Sequence, residues 1–328
     1  MSEEKEPIIE TARELLADRL VARTWGNLSR RVGADRYLIT PSGRDYETMQ
    51  PSDLVEVDFD GKWSGELKPS GERGLHTAIY RERSDAQFII HTHQPYASAM
   101  SLAGESLELD AELAERVGSA ILPTADYGLP STKKLHEAVL ETLRATGARA
   151  ILMRGHGAVL FGDDPAELVD LAKELEAACR QRFEDLTGVT AGAVKGHVRR
   201  FVRDGFSLPP QVVHIFMRRE DAGAVIGDDS PLLLEFRETG LKAYLDDFSQ
   251  LIGLQAGKSF ANDMIFGRKA VYFLGADLDE AEAAREVSIK NALAAKVALA
   301  FGEKPLPKLD GTIMHVVYKL KYSKLKDS

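Results

Sequence analysis

Apolar residues at Ile8, Ile9, Ala12, Leu15, Leu16 and Val21 recur at helical spacing, which predicts an amphipathic opening helix ending near the Thr24-Trp25-Gly26 break. Short β-rich runs follow. Tyr37-Leu38-Ile39-Thr40 is stopped by Pro41-Ser42-Gly43, and Leu54-Val55-Glu56-Val57-Asp58-Phe59 by the Asp60-Gly61 turn, the pattern of an antiparallel meander. Ser70 is placed to cap a helix over 71–83 with Leu75, Ala78 and Ile79 inward. Phe88-Ile89-Ile90 reads as a buried strand that delivers His91 and His93 at its end. Beyond it, Ser131 or Thr132 caps a helix to about Ala145, and Ala150-Ile151-Leu152-Met153 is a further strand with Gly155-His156-Gly157 as its turn. A long helix covers 165–186. Strands alternating with helices after an antiparallel start indicate a layered α/β domain.

Residues 190–210, with Gly192, Gly196, Gly205, Pro209 and Pro210, have the most linker-like composition, and the boundary placed there predicts domains over 1–200 and 205–328. The second part repeats the first in weakened form. Set against 79–95 at a constant offset, 215–231 matches Ile79, Arg83, Asp85, Ala86, Ile90 and Pro95 with Ile215, Arg219, Asp221, Ala222, Ile226 and Pro231. Gly267 then falls opposite Gly155, and Ala270-Val271-Tyr272-Phe273 opposite Ala158-Val159-Leu160-Phe161. Gly227 and Asp229 stand where His91 and His93 stand, and Arg268 stands opposite His156, so a degenerate copy without metal ligands is expected. Lys195-Gly196-His197-Val198-Arg199-Arg200 reads as a basic hinge between the two, and the Lys319, Lys321, Lys324 and Lys326 tail, alternating with Tyr318, Leu320 and Tyr322, as a terminal strand with a solvated lysine face.

Composition narrows the class. With 328 residues, 44% hydrophobic and 28% charged, the chain has the profile of a globular protein of about two domains. No apolar run approaches the roughly 20 residues of a membrane-spanning helix, and Met1 to Glu6 is charged, so membrane and signal-directed roles are set aside. The single Cys179 cannot form an internal disulfide, which favours a cytoplasmic home. A formal charge of −9 argues against a broad grip on nucleic acid.

Candidate chemistry lies in the histidines. His91 and His93, two apart on an extended strand, point the same way, and His156 from a neighbouring strand end would complete a facial three-nitrogen site with an open position, the mark of a catalytic Zn²⁺ centre. Glu72, at the first turn of its helix, either complements the helix dipole or serves as a general acid/base beside the metal. The turns Gly26-Asn27-Leu28-Ser29, Thr40-Pro41-Ser42-Gly43 and Pro69-Ser70-Gly71 offer N–H groups and hydroxyls suited to an anion.

Taken in order, Gly26-Asn27-x-Ser29, Thr40-Pro41-Ser42-Gly43, Pro69-Ser70-Gly71-Glu72 with His76, His91-Thr92-His93 and Gly155-His156-Gly157 resemble the class II aldolase/adducin family over about residues 5–190. The resemblance implies a layered α/β domain with a central, mainly antiparallel sheet, followed here by the degenerate copy. It implies Zn²⁺, or another divalent transition metal, on His91, His93 and His156, with Glu72 shuttling protons. It further implies a phosphate pocket of Asn27, Ser42, Gly43, Ser70 and Gly71, and a catalytic tyrosine, Tyr127, supplied by an adjoining subunit of a homo-oligomer. Family members often carry a second hydroxyl residue where this chain has Gly71, which removes one phosphate donor. The implied reaction is aldolase-type cleavage of a hydroxyketone, a sugar phosphate, through a metal-stabilised enediolate. The same site serves epimerases, a dehydratase and decarboxylases within the family, and adducin-type relatives use the fold as a scaffold. The expected partner is a small-molecule substrate, with no nucleic acid and no membrane.

Overall fold

The opening helix, α1 (Ser2–Ala17), buries Ile8, Ile9, Ala12 and Leu15 along one side, as their spacing requires. A computed structural model of the chain describes residues 2–21, 25–104 and 107–326, and the backbone alone at Ser2, Glu3 and 321–326; Thr24 of the expected break lies outside the described residues. The chain forms two units, Met1–Arg182 and Phe183–Ser328.

In the first unit, β1 (Asn27–Arg31), β2 (Arg36–Ile39) and β3 (Val55–Asp58) form the expected antiparallel meander. Next come α2 (Arg73–Glu82) and β4 (Phe88–Thr92), which returns antiparallel against β1. Then follow α3 (Pro95–Met100), α4 (Ala111–Val117), β5 (Thr124–Ala125), α5 (Lys133–Thr146), the hairpin of β6 (Ala150–Met153) and β7 (Gly157–Gly162), and α6 (Pro165–Thr187). The strands make one sheet in the order β3-β2-β1-β4-β7-β6-β5, antiparallel except at β5–β6.

The register of this sheet sets where chemistry is possible. Ser29 lies opposite both Ile39 and Ile89, Asn27 opposite His91, and His91 opposite Val159. Directly opposed residues share a face, so Asn27, Ser29, Ile39, Ile89, His91 and Val159 all look the same way. α2 and α5 cover that face with Leu75, Ile79, Tyr80, Val139 and Leu143, packed on Tyr37, Ile39, Ile89, Ile151 and Phe161. Each such aliphatic side chain contributes roughly 1.5–3 kcal/mol by leaving water. Towards one end of β1 and β4 the aliphatic row gives way to Asn27, Ser29 and His91, and that end holds the site.

The second unit contains α7 (Ala191–Val194), β8 (Val198–Val202), α8 (Pro210–Arg218), β9 (Ala224–Asp228), α9 (Pro231–Leu234), β10 (Leu241–Lys242), α10 (Asp246–Leu251), β11 (Gln255–Ala256), β12 (Met264–Phe266), β13 (Val271–Gly275), α11 (Leu278–Phe301) and α12 (Lys308–Lys326). Its four-stranded antiparallel sheet runs β12-β13-β9-β8, while β10 and β11 form a separate ribbon. α8 packs Val212, Ile215 and Phe216 on Val225, Ile265 and Leu274.

Three expectations fail here. Residues 190–210 are not a bare linker, because β8 completes the edge of β9, Pro210 occupies the first turn of α8 with Pro209 as its N-cap, and Arg200 of the supposed basic hinge is paired with Glu282. The tail is helix α12 instead of a strand. Gly311 and Met314 are buried at helical spacing, the Gly311 carbonyl accepts from Ser249 Oγ, and His315 Nδ1 lies 2.9 Å from the Gln250 carbonyl, a period of contact that the Lys and Tyr alternation masks.

The third concerns how the units match. β9 has with β8 and β13 the register that β4 has with β1 and β7: Ala224 faces Val202 and Gly275 as Phe88 faces Arg30 and Gly162, and Gly227 faces Arg199 and Tyr272 as His91 faces Asn27 and Val159. This places Val271, not Ala270, opposite Ala158. The cause is the hairpin: two residues, Arg268 and Lys269, turn between Gly267 and Ala270, against Arg154, Gly155 and His156 between Met153 and Gly157. Counted from the matched strands, Lys269 and not Arg268 precedes Ala270 as His156 precedes Gly157, and it offers no imidazole.

Candidate active site

Two glycines bring the backbone close around β4. A Cβ on Gly26, whose φ is +95°, would lie 2.6 Å from the His91 carbonyl oxygen, and one on Gly157 would lie 2.2 Å from that of Thr92. Only glycine permits either approach. The turn carrying His156 is held on its other side by α3, where Ser101 Oγ accepts from Gly155 N–H at 3.0 Å. α3 is itself anchored by Glu176 of α6, whose two carboxylate oxygens each accept at 2.9 Å from the backbone N–H groups of Tyr96 and Ala97. Gln94, between His93 and α3, accepts from Thr92 Oγ1 at 2.8 Å and donates to the Ala172 carbonyl at 2.6 Å.

These constraints converge three imidazoles. His91, His93 and His156 are all buried, and their ligand nitrogens lie within 4.8 Å of one another. His91 Nε2 is 3.0 Å from His93 Nε2 and 3.1 Å from His156 Nε2, with the rings of His91 and His156 stacked. Glu72 closes the group, its Oε2 3.0 Å from His91 Nε2 and its Oε1 3.1 Å from His156 Nε2. On the far side of its ring, His91 Nδ1 is 2.9 Å from the Ala158 carbonyl, a pure acceptor, so Nδ1 donates and Nε2 is left bare toward the cluster. Bare imidazole nitrogens and a carboxylate packed together without a cation would face lone pair against lone pair. The donor set therefore suits a divalent metal with borderline ligand preference, and nothing in it needs a thiolate.

Glu72 is not capped by Ser70 as a helix start would be. The helix begins at Arg73 with Glu72 at its N-cap, and Ser70 Oγ accepts from Glu72 N–H at 3.2 Å. Burial alone pushes the Glu72 carboxyl up, and the imidazoles of His91 and His156 more than reverse this, holding it well below the usual carboxylate range.

The expected anion turns are brought together, one of them altered. Gly26 to Ser29 is not a turn, since β1 starts at Asn27 and points Asn27 and Ser29 inward. The Asn27 amide donates to Glu72 Oε2 at 3.0 Å. The other two segments pair directly, with Pro41 bridged to Pro69, Ser42 N–H donating to the Lys68 carbonyl and Ser70 N–H to that of Thr40. A Cβ on Gly71 would lie 3.0 Å from Ser131 Oγ, so the loop before α5 fills the space a larger residue there would need. Ser131 is held at φ +63°, uncommon for a non-glycine residue. Tyr127 follows β5, half-buried. Sequence reading missed Tyr80 and Ser131 as neighbours of the site; the signal for Tyr80 is its spacing of four from His76 and eight from Glu72, one stripe of a helix.

Residues 6–183 match the Class II Aldolase and Adducin N-terminal domain. The chain belongs to the class II aldolase and adducin family. Within it, the chain is 32% identical to the 5-methylthioribulose-1-phosphate/5-deoxyribulose-1-phosphate aldolase of Rhodospirillum rubrum, over 55% of this chain and 80% of that protein. It is 32% identical to the methylthioribulose-1-phosphate dehydratase of Methylococcus capsulatus, over 52% of this chain and 87% of that one. Among solved structures, an L-fuculose 1-phosphate aldolase superposes with a TM-score of 0.52 at 25% identity, over 67% of this chain and 97% of its own. The antiparallel sheet of the first unit is thus that of a class II aldolase-family domain, and it carries the three-histidine group. Among the described residues, no helix is long and apolar enough to cross a membrane.

Proposed function

We propose that the protein is a metal-dependent aldolase that cleaves a ketose 1-phosphate, with zinc on His91, His93 and His156. The observation that carries this reading is the convergence of three buried imidazole nitrogens within 4.8 Å of one another, with the two oxygens of Glu72 3.0 and 3.1 Å from those of His91 and His156. A divalent metal bound there supplies a Lewis acid for the negative charge that develops on the hydroxyketone oxygens as the carbon–carbon bond breaks.

The chain's own groups handle protons and position. Glu72 takes the proton from the ketone's carbon in the synthetic direction and returns it after cleavage. Tyr127 of a neighbouring subunit in a homo-oligomer serves the aldehyde oxygen. Ser42, Gly43, Ser70 and Gly71, on the paired segments, bind the phosphate through hydroxyls and backbone N–H groups, and Asn27 adds the N–H left over from its bond to Glu72. With Ser131 Oγ occupying the space beside Gly71, the second hydroxyl at this turn comes from another loop.

The second unit is a copy of the first without its ligands. Support comes from the shared strand register and from Gly227 and Asp229 standing in place of His91 and His93.

The test is elemental analysis of untagged protein, then incubation with ketose 1-phosphates. The reading expects about one zinc per chain and release of dihydroxyacetone phosphate with an aldehyde. Loss of water from a methylthioribulose phosphate without chain cleavage would assign the dehydratase reaction of the Methylococcus relative. Two metals per chain would refute the degenerate copy, and a chain that takes up none would be a scaffold.

A further inference from the structure

Five side chains run in one buried line from the interior to the cluster: Tyr80, Ser29, His76, Asn27 and Glu72. Tyr80 OH is 2.8 Å from Ser29 Oγ, Ser29 Oγ is 2.6 Å from His76 Nδ1, His76 Nε2 is 2.5 Å from Asn27 Oδ1, and Asn27 Nδ2 is 3.0 Å from Glu72 Oε2. The line follows from two periodicities, with Asn27 and Ser29 two apart on β1 facing Glu72, His76 and Tyr80 four apart along α2.

The direction of every bond is determined from the carboxylate outward. The Asn27 amide donates from Nδ2 to Glu72 Oε2 and presents its carbonyl oxygen to His76 Nε2. His76 must then donate from Nε2, which leaves Nδ1 bare and obliges the Ser29 hydroxyl to donate to it. Ser29 in turn accepts from Tyr80. A reversed Asn27 amide would set its carbonyl oxygen against the Glu72 carboxyl group and lose the bond between them in a buried site. Burial, with His91 nearby, pushes the His76 ring down to about 3, so it is neutral at ordinary pH and can hold one tautomer.

We propose that His76, locked as its Nε2–H tautomer by Ser29 and Tyr80, is a positioning residue that fixes the Asn27 amide and through it aims the Glu72 carboxylate at the reacting carbon. The catalytic half of this statement rests on the proposed function. The tautomer half does not.

The decisive experiment labels the full chain with ¹⁵N-histidine and reads long-range proton–nitrogen correlations at neutral pH, assigning His76 by the signals that His76→Leu lacks. The expected ring has a protonated Nε2 and a bare Nδ1, and Ser29→Ala gives a mixture of tautomers. On ketose 1-phosphate cleavage, His76→Leu lowers kcat by about 100-fold with KM within about threefold and zinc content unchanged, while His76→Gln, whose amide N–H reaches the place of Nε2, regains about tenfold. A proton on Nδ1, or equal activity of the Leu and Gln variants with metal retained, overturns the proposal. If His76→Leu does not fold, Ser29→Ala and His76→Gln carry the test. Should the wild type cleave no sugar phosphate, the proposed function fails, while the tautomer and its response to Ser29→Ala still decide the lock.

Discussion

Arg31 and Arg203, each in its own unit, hold equivalent backbone carbonyls: Arg31 donates to those of Tyr80, Arg83 and Ala86, and Arg203 to those of Phe216, Arg219 and Ala222. Each guanidinium also lies 4.8 Å from the ring centroid of the aromatic residue in that set, Tyr80 or Phe216. In both units the arginine ties an edge of strand to the turn that leads from helix into the central strand. Charged hydrogen bonds of this kind contribute about 1.5–3 kcal/mol each, and leaving the carbonyls unmatched adds to the loss, so Arg203→Leu should cost about 2–4 kcal/mol in urea unfolding. A cost below about 0.5 kcal/mol would mean that apolar packing of α8 alone holds the joint.

Gly157 couples the fold to the metal site. A methyl group there collides with the Thr92 carbonyl, and the relief available is to move the turn that carries His156. Gly157→Ala should therefore weaken zinc binding by about 10–100-fold, in the range of changes that disturb ligand orientation. Competition with a chromogenic chelator measures it. Unchanged affinity would show that His156 is placed by α3 and not by the close approach of the two strands.

Glu72→Gln keeps the shape of the side chain and removes its capacity to take a proton. Solvent deuterium exchange into dihydroxyacetone phosphate isolates that step from bond cleavage. The exchange rate should fall by about 10²–10⁴-fold, the usual contribution of a general base, with zinc retained. Exchange that persists near the wild-type rate would move the base elsewhere in the site.

Much of the site was legible because it follows strict periods. The two-residue spacing of Asn27 with Ser29 and of His91 with His93, and the hairpin turn at His156, place side chains without knowledge of the packing. What stayed hidden depended on partners far along the chain. Gly196, Pro209 and Pro210 read as linker residues, yet the stretch contains an edge strand that exists only because β9 offers a free side. The tail alternates Lys with Tyr and Leu like a strand, while the residues that pack, Gly311 and Met314, fall just before that alternation. The one-residue difference between the two hairpins is invisible until strand register is known. Ser70 looked like a helix cap because hydroxyl chemistry suits that role, and only the start of α2 at Arg73 shows its hydroxyl serving the turn before the helix.

The fully buried His76 also sets a pH dependence of stability. Its ring is pushed from an ordinary 6.5 to about 3 by burial first and then by nearby His91. Below pH 6.5 the unfolded chain takes up a proton that the folded ring refuses, so this group's contribution is complete above about pH 6.5 and is lost progressively as the pH falls toward 3. At about 1.4 kcal/mol per pH unit, the loss between pH 6.5 and 5 is about 2 kcal/mol. The comparison is made on chelator-treated protein between the wild type and His76→Leu, so that every other ionisable group is common to both. Urea midpoints should fall more steeply with acidification in the wild type than in the variant. Parallel slopes would mean that the His76 ring accepts a proton in the folded state, and that the bond to Asn27 Oδ1 persists with Ser29 rotated to accept from Nδ1–H.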